Sequence, residues 1–430
     1  MFWILLLYLI CVFVFSWKNF RAGVGLLILL LPAYLIRIRI GPLPTTVLEM
    51  TLGAVCLVWL IKYFREDGGK IVVAVKERPW FFGLVGFFFV ASLVGIFVSG
   101  VGAIKLNYGQ NTYQAFGIWR AFFLEPMILF FILLGRVKSG ALSVGDITKF
   151  LIWSGVSVAL VAVSQKIFGW PYAPSLWNDE IGGRATSFFT SPNAVGLYLG
   201  PLFVLCLTRL LRWKYIPDLI WFVLFGLALL FSWSQGAWLA LSGAVIIILY
   251  LLRKKRTAIV IALLGLALAL YWVPVREAMT FADKASQNRL HLWNYSWQYL
   301  SQSPAHFIGG AGLRQFFWKV QYPFFQEDTR AMEILTYPHS FFLNFWSEIG
   351  LVGACSFLGI LIYLSYLSVQ IYRRDKLLGA GMVGLLVVYF IHGLVDVPYF
   401  KNDLSIMFWL YVLVLFLQSH HDAGSDGART

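Results

Sequence analysis

Apolar stretches long enough to enter or cross a lipid bilayer recur from one end of this chain to the other, and they leave it few possible folds. They run approximately over 2–17, 22–36, 46–64, 80–98, 118–135, 147–168, 194–211, 219–233, 237–252, 258–272, 341–372, 377–395 and 404–418. Inside lipid a backbone must satisfy its own hydrogen bonds, so such segments are expected to be helices. The chain therefore reads as an all-α polytopic membrane bundle of 12–13 transmembrane helices. The lower count applies if one of the first two, shorter segments is a hairpin or interfacial. Hydrophobic residues make up 60% of the 430 and charged residues only 13%, which excludes a string of soluble domains. Met1 leads straight into apolar residues with no basic flank or Ala-X-Ala site, so a removable signal peptide is not expected.

The 34 Lys and Arg outnumber the 20 Asp and Glu, a formal charge of +14. In a membrane protein this surplus first reports topology. Alternate connections hold 21 of the 34, in clusters such as Arg253-Lys254-Lys255-Arg256, and this set is expected on the cytoplasmic side. The long connections 99–117, 169–193 and 273–339 then face outward, and the chemistry is expected there. The expected layout is N-terminal membrane helices (1–110), a membrane core with the outer loop 169–193 (111–272), a large outer loop with amphipathic helices (273–339), C-terminal membrane helices (340–419) and a disordered tail (420–430). Nucleic acid is not an expected partner. Cys11, Cys56, Cys206 and Cys355 lie singly in apolar runs, with no spacing for a disulfide framework or zinc. No phosphate loop, His-Glu-X-X-His, Gly-X-Ser-X-Gly or outer Asp-X-Asp motif occurs.

Three outer segments could carry chemistry. In Gly182-Gly183-Arg184-Ala185-Thr186-Ser187, followed by Ser191-Pro192-Asn193, glycines allow close backbone approach, Arg184 offers a planar fork of donors, and Asn193 stands at a helix start. That suits a phosphate, though an ordinary loop with Arg184 paired to Asp179 or Glu180 fits equally. In Ser286-Gln287-Asn288-Arg289, Asn288 reads as a helix cap and Arg289 as a first-turn cation, awaiting either an anionic ligand or a lipid headgroup. Leu290, Trp293, Trp297 and Leu300 form the apolar stripe of that helix. His339, between a proline and the cap-like Ser340, suits a general base or a structural hydrogen-bonding group. Other polar residues near or within spans are His392 and Asp396, readable as a mutual pair, and Glu125 and Glu348, each expected to pair with an arginine such as Arg120 or Arg184.

Taken in order, Gly183 to Phe188 with Ser191-Pro192-Asn193, Ser232-Trp233-Ser234-Gln235-Gly236-Ala237-Trp238, Arg289 with Trp293, Pro304 and Gly309 to Gly312, Pro338-His339-Ser340-Phe341, and Glu348-Ile349-Gly350-Leu351-Val352-Gly353 resemble the O-antigen ligase and O-antigen polymerase family of bacterial envelope proteins. The similarity spans roughly 115–415. It implies a metal-independent, inverting glycosyltransferase without cofactor in the bacterial cytoplasmic membrane, with its site facing outward. A polyprenyl-diphosphate-linked glycan would be the donor, and a lipid, glycan or protein hydroxyl the acceptor. Arg184 and Arg289 would bind the donor diphosphate and His339 would accept the proton. The family commonly has Arg where this chain has Gln235, so Gln235 would give hydrogen bonds without charge and Arg120, Lys105 or Arg314 would compensate. A transporter or flippase for an anionic or lipid-linked solute, with the same arginines along a pathway, is the competing expectation.

Overall fold

A computed structural model describes residues 2–40, 43–100, 112–170, 183–325 and 335–419. Most of the expected outer loop 99–117, the acidic pair Asp179 and Glu180, Lys105 and the tail 420–430 lie outside them. The described chain is helical nearly throughout, as the apolar pattern demands. Its helices are α1 (Phe2–Lys18), α2 (Phe20–Leu29), α3 (Val47–Lys62), α4 (Phe64–Glu77), α5 (Pro79–Gly100), α6 (Thr112–Trp119), α7 (Glu125–Lys138), α8 (Val144–Phe168), α9 (Pro192–Trp213), α10 (Ile216–Ser232), α11 (Gln235–Leu251), α12 (Lys255–Tyr271), α13 (Val273–Met279), α14 (Lys284–Ser301), α15 (Pro304–Gly309), α16 (Tyr322–Phe325), α17 (Phe341–Arg374), α18 (Lys376–Val395) and α19 (Asn402–Gln418).

Among the described residues, six helical stretches are long and apolar enough to cross a membrane: Pro79–Gly100, Gln114–Lys138, Val144–Phe168, Pro192–Trp213, Phe341–Arg374 and Lys376–Val395. Five further apolar helices have 10–17 residues, which at about 1.5 Å per residue is shorter than a hydrocarbon core of about 30 Å. The segment 22–36 departs most from expectation. Its helix stops at Leu29, because Pro32 cannot continue it, and a 3-10 turn leads into a β-hairpin, β1 (Arg37–Ile40) against β2 (Leu43–Thr46). α4 bends 96° away from α3, so it does not prolong that span.

Polar contacts sort the helix ends into two groups. At one end, Arg21 pairs with Asp146, Lys62 donates to the Trp17 carbonyl, Arg209 pairs with Asp218 at 2.9 Å, Arg212 with Asp375, and Arg374 donates to the Ser419 carbonyl. Arg136 joins them, sharing Asp67 with the Trp59 indole and lying 3.9 Å over the Tyr63 ring. Removing one partner of such a buried pair strands the other and costs about 3–5 kcal/mol. The helices that leave this basic end bring 183–187, 232–236, 339–348 and 392–403 together at the other.

α19 runs through the middle, with every residue from Asn402 to Leu417 buried. A helix apolar all round has no solvent face to offer, so the others wrap it. Aromatic side chains fill the space beside its first half: Phe345 lies 4.1 Å from Phe357 and 4.8 Å from Phe400 between ring centres, and Trp409 donates to the Tyr399 hydroxyl.

Candidate functional site

The first wall of the site is the 183–187 segment. Gln165, buried in the last turn of α8, accepts the Thr186 and Ser187 N–H groups on Oε1 and donates from Nε2 to the Ser187 carbonyl. Ala185 N–H reaches the Phe231 carbonyl at the end of α10. Clamped in this way, Arg184 donates from Nε to the Ser232 carbonyl (2.9 Å) and from Nη2 to Asn193 Oδ1 (3.0 Å) and the Trp233 carbonyl (3.1 Å). These acceptors exist because α10 ends at Ser232 and α11 begins at Gln235, freeing carbonyls between them. All three are neutral. Burial, and then the charge of Arg289, hold the Arg184 guanidinium below the usual arginine range.

Arg289 comes from the second wall, α14. That helix begins at Lys284 under the cap of Asp283, whose side chain accepts Ser286 N–H, rather than at Asn288. Arg289 is thus past the first turn, and the dipole argument for an anion there is weaker than the sequence suggested. The apolar stripe is also rotated: Leu290 and Trp297 are exposed, while Leu292, Tyr295, Tyr299 and Leu300 face inward, with Tyr295 stacked on Phe324 at 4.3 Å. One turn on from Arg289, Trp293 donates to the Pro338 carbonyl at 3.0 Å, which fixes Arg289 beside the 338–340 segment. Its buried Nε has no hydrogen-bond partner among the described residues.

His339 follows Pro338 in the left-handed backbone region (φ 50°), an uncommon place for a residue with a side chain. Its Nδ1 lies 3.3 Å from Asp396 Oδ1, and Tyr337 meets its ring edge-on at 5.2 Å. Asp396 ends α18 and also accepts the Val397 N–H at 2.8 Å. Burial works against its anion, but the His339 hydrogen bond and the charges of His339, His392 and Lys401 outweigh it and hold Asp396 well below the ordinary carboxylate range. His392 lies one turn earlier, 2% exposed, its ring against Gly236 of α11, where a Cβ would stand 3.0 Å from Cδ2. It lies within electrostatic reach of both Asp396 and Arg289. The sequence pairing of His392 with Asp396 therefore becomes a cluster in which His339 holds the direct bond.

Three other sequence candidates fall elsewhere. Arg120, on a π-helical turn (Arg120–Leu124), is bound to Glu49 and, at 3.1 Å, to Glu125, while Asn402 holds the other Glu49 oxygen. Its guanidinium is thus already engaged by carboxyl groups. Glu348 pairs with neither Arg184 nor Arg120: its Oε2 accepts the Arg314 backbone N–H. Gly350 (φ 75°) breaks α17, and the freed Ser347 carbonyl accepts the Ala311 and Gly312 N–H groups. Glu348 and the exposed Arg314 thus dock the large loop onto the broken helix. Gln235 opens α11 beside this site, between the Arg184 acceptors and Gly236. Gln165 and the Trp293–Pro338 bond went unread in the sequence, though a glutamine closing an otherwise apolar helix was a visible sign. No cluster of three or more His, Cys, Asp or Glu suited to a metal occurs among the described residues.

Residues 220–358 match the family model described as O-antigen ligase. The match covers less than half of the chain. No curated protein matches the chain. The matched segment holds Gln235, Arg289, His339 and Glu348; Arg184, His392 and Asp396 lie outside it and reach it through the contacts above. The match supports an O-antigen ligase-like function in general, and the long apolar helices support a multi-pass membrane protein.

Proposed function

We propose that the protein transfers a glycan from a polyprenyl-diphosphate-linked donor to an acceptor hydroxyl at the outer face of the bacterial cytoplasmic membrane, with inversion at the anomeric carbon. The observation that supports this most is the meeting of two guanidinium groups, Arg184 and Arg289, beside the His339–Asp396 pair. Two like charges near one another, with only neutral hydrogen-bond acceptors on Arg184, are what an anion between them would stabilise. In the reaction, the bond from the anomeric carbon to the diphosphate oxygen breaks, its electron pair going to the diphosphate, where Arg184 and Arg289 meet the growing charge. The acceptor oxygen attacks from the opposite face and its proton passes to His339. Asp396, ionised and bonded to Nδ1, fixes the imidazole with Nε2 as the accepting nitrogen.

Support for this orientation comes from the basic connectors gathered at the opposite end of the helices from the site, the distribution the positive-inside rule associates with the cytoplasmic face. Purified protein given lipid-linked glycan and an acceptor should form a covalent product and release polyprenyl diphosphate. Movement of the intact donor across a vesicle membrane without bond cleavage would replace this reading with the transporter.

A further inference from the structure

α2 and α8 leave between them a cleft of about 340 Å³, lined by Ala22, Gly25, Leu29, Lys149, Phe150 and Trp153. Both helices start at the basic end, where Arg21 is tied to Asp146, so they run side by side in the same direction. Ala22 and Gly25 carry too little side chain to fill the space, and Phe150 leans over Gly25, where a Cβ would stand 2.9 Å from its ring. From Ala22 to Leu29 the cleft follows about two turns of α2, roughly 10 Å. Leu29 and Trp153, at its deeper end, are 41% and 45% exposed, so the protein does not close it off from lipid.

Lys149 is the one charged residue among those that line the cleft, and it stands a turn nearer the basic end than Trp153. Among the described residues it has no ion pair or hydrogen bond, because Asp146, the acid one turn before it, is already committed: one oxygen goes to Arg21 and the other accepts the Ser143 N–H. A cation at the level of the headgroups, over an apolar cleft that runs toward the middle of the bilayer, matches an amphiphile with a phosphate at one end and a hydrocarbon chain at the other. No carboxylate lines the cleft to receive an ammonium, so a net-negative headgroup fits it better than a zwitterionic one. His339 and the two arginines lie at the other end of the helices, which separates the cleft from the transfer site.

We propose that this cleft binds an anionic glycerophospholipid, its phosphate on Lys149 and one acyl chain lying along Gly25, Phe150 and Trp153 toward Leu29. Protein in neutral detergent would be titrated with phosphatidylglycerol carrying brominated chains, and the quenching at Trp153 read as the difference between the unsubstituted protein and Trp153→Phe. This quenching should saturate, and phosphatidylcholine with the same chains should need about fivefold more lipid, the effect of one cation near an anionic headgroup. Lys149→Gln should weaken phosphatidylglycerol to the level of phosphatidylcholine. Ala22→Leu, which fills the cleft from its floor, should abolish saturable quenching by either lipid. Native mass spectrometry makes the same comparison without a change at Trp153: phosphatidylglycerol should be retained by the unsubstituted protein and lost from Lys149→Gln. Equal affinity for the two lipids, or unchanged phosphatidylglycerol binding in Lys149→Gln, would overturn the inference. Two other results would overturn it as well. Displacement of phosphatidylglycerol by lower concentrations of undecaprenyl phosphate would make the cleft a prenyl-lipid site, and a Trp153 that no lipid quenches, in a protein that elutes as a dimer, would make it a contact between copies.

Discussion

Arg289→Lys separates a donor-binding arginine from one that supports the fold. Lysine keeps the charge and loses the planar fork that grips two phosphate oxygens at once. The buried Nε of Arg289 has no hydrogen-bond partner among the described residues, so shortening the group removes no bond seen through that atom, and stability should move by no more than about 0.5 kcal/mol. Arg184 is the contrasting case. Its three bonds to Ser232, Asn193 and Trp233 pass through a geometry lysine cannot reproduce. Losing even one such charge-assisted bond costs about 1.5–3 kcal/mol. If both arginines meet charge developing on the leaving diphosphate, each Lys variant should lose about 10²- to 10³-fold in kcat, the range for one preorganised donor at a developing anion. Thermal unfolding in detergent and transfer from a lipid-linked donor would be measured on the same preparations. Arg289→Lys should melt with the unsubstituted protein and turn over slowly, whereas Arg184→Lys should melt earlier as well. Turnover of Arg289→Lys near the starting rate, or a fall in its stability matching its fall in rate, would refute the assignment.

Asp396→Asn removes the carboxylate that holds the His339 ring through Nδ1, so the transfer rate should fall while donor binding stays, and an unchanged rate would sever Asp396 from the base. Because the folded carboxyl is depressed, its stabilisation is complete above the unfolded value of about 3.9 and is lost only as pH falls through the lower folded value. Melting temperatures between pH 5 and 8 should therefore carry no contribution from Asp396 titration. Gly350→Ala should destabilise the protein by more than 1 kcal/mol and expose the 304–314 loop to protease, since φ is 75° and a Cβ would collide with the Ile308 carbonyl oxygen. Reporter fusions after 67, 138, 255 and 375 should score cytoplasmic, and one after 320 external; a cytoplasmic score at 320 would invert the site.

The sequence showed the helices well because lipid-facing segments need only be apolar, and length and composition carry that signal. It showed their ends poorly. Pro32 and Gly350 were visible, yet that one stops α2 in a hairpin and the other opens α17 for the large loop depends on tertiary partners. Arg184, Arg289 and His339 stood out as single polar residues in long loops. That Glu348 serves the loop rather than an arginine, and that Arg120 is already balanced by Glu49, could not be read, because both depend on residues distant in the chain.

The decisive measurement is single-turnover transfer by His339→Gln, with enzyme in excess over donor and the release of polyprenyl diphosphate followed alongside covalent product. Gln keeps a hydrogen-bonding group beside Asp396 but cannot take up a proton near neutrality. The variant should fold and bind the lipid-linked donor as before, while transfer falls about 10²- to 10⁴-fold and product and released diphosphate remain equal. Transfer at the unsubstituted rate by the folded variant would contradict a proton-accepting role for His339.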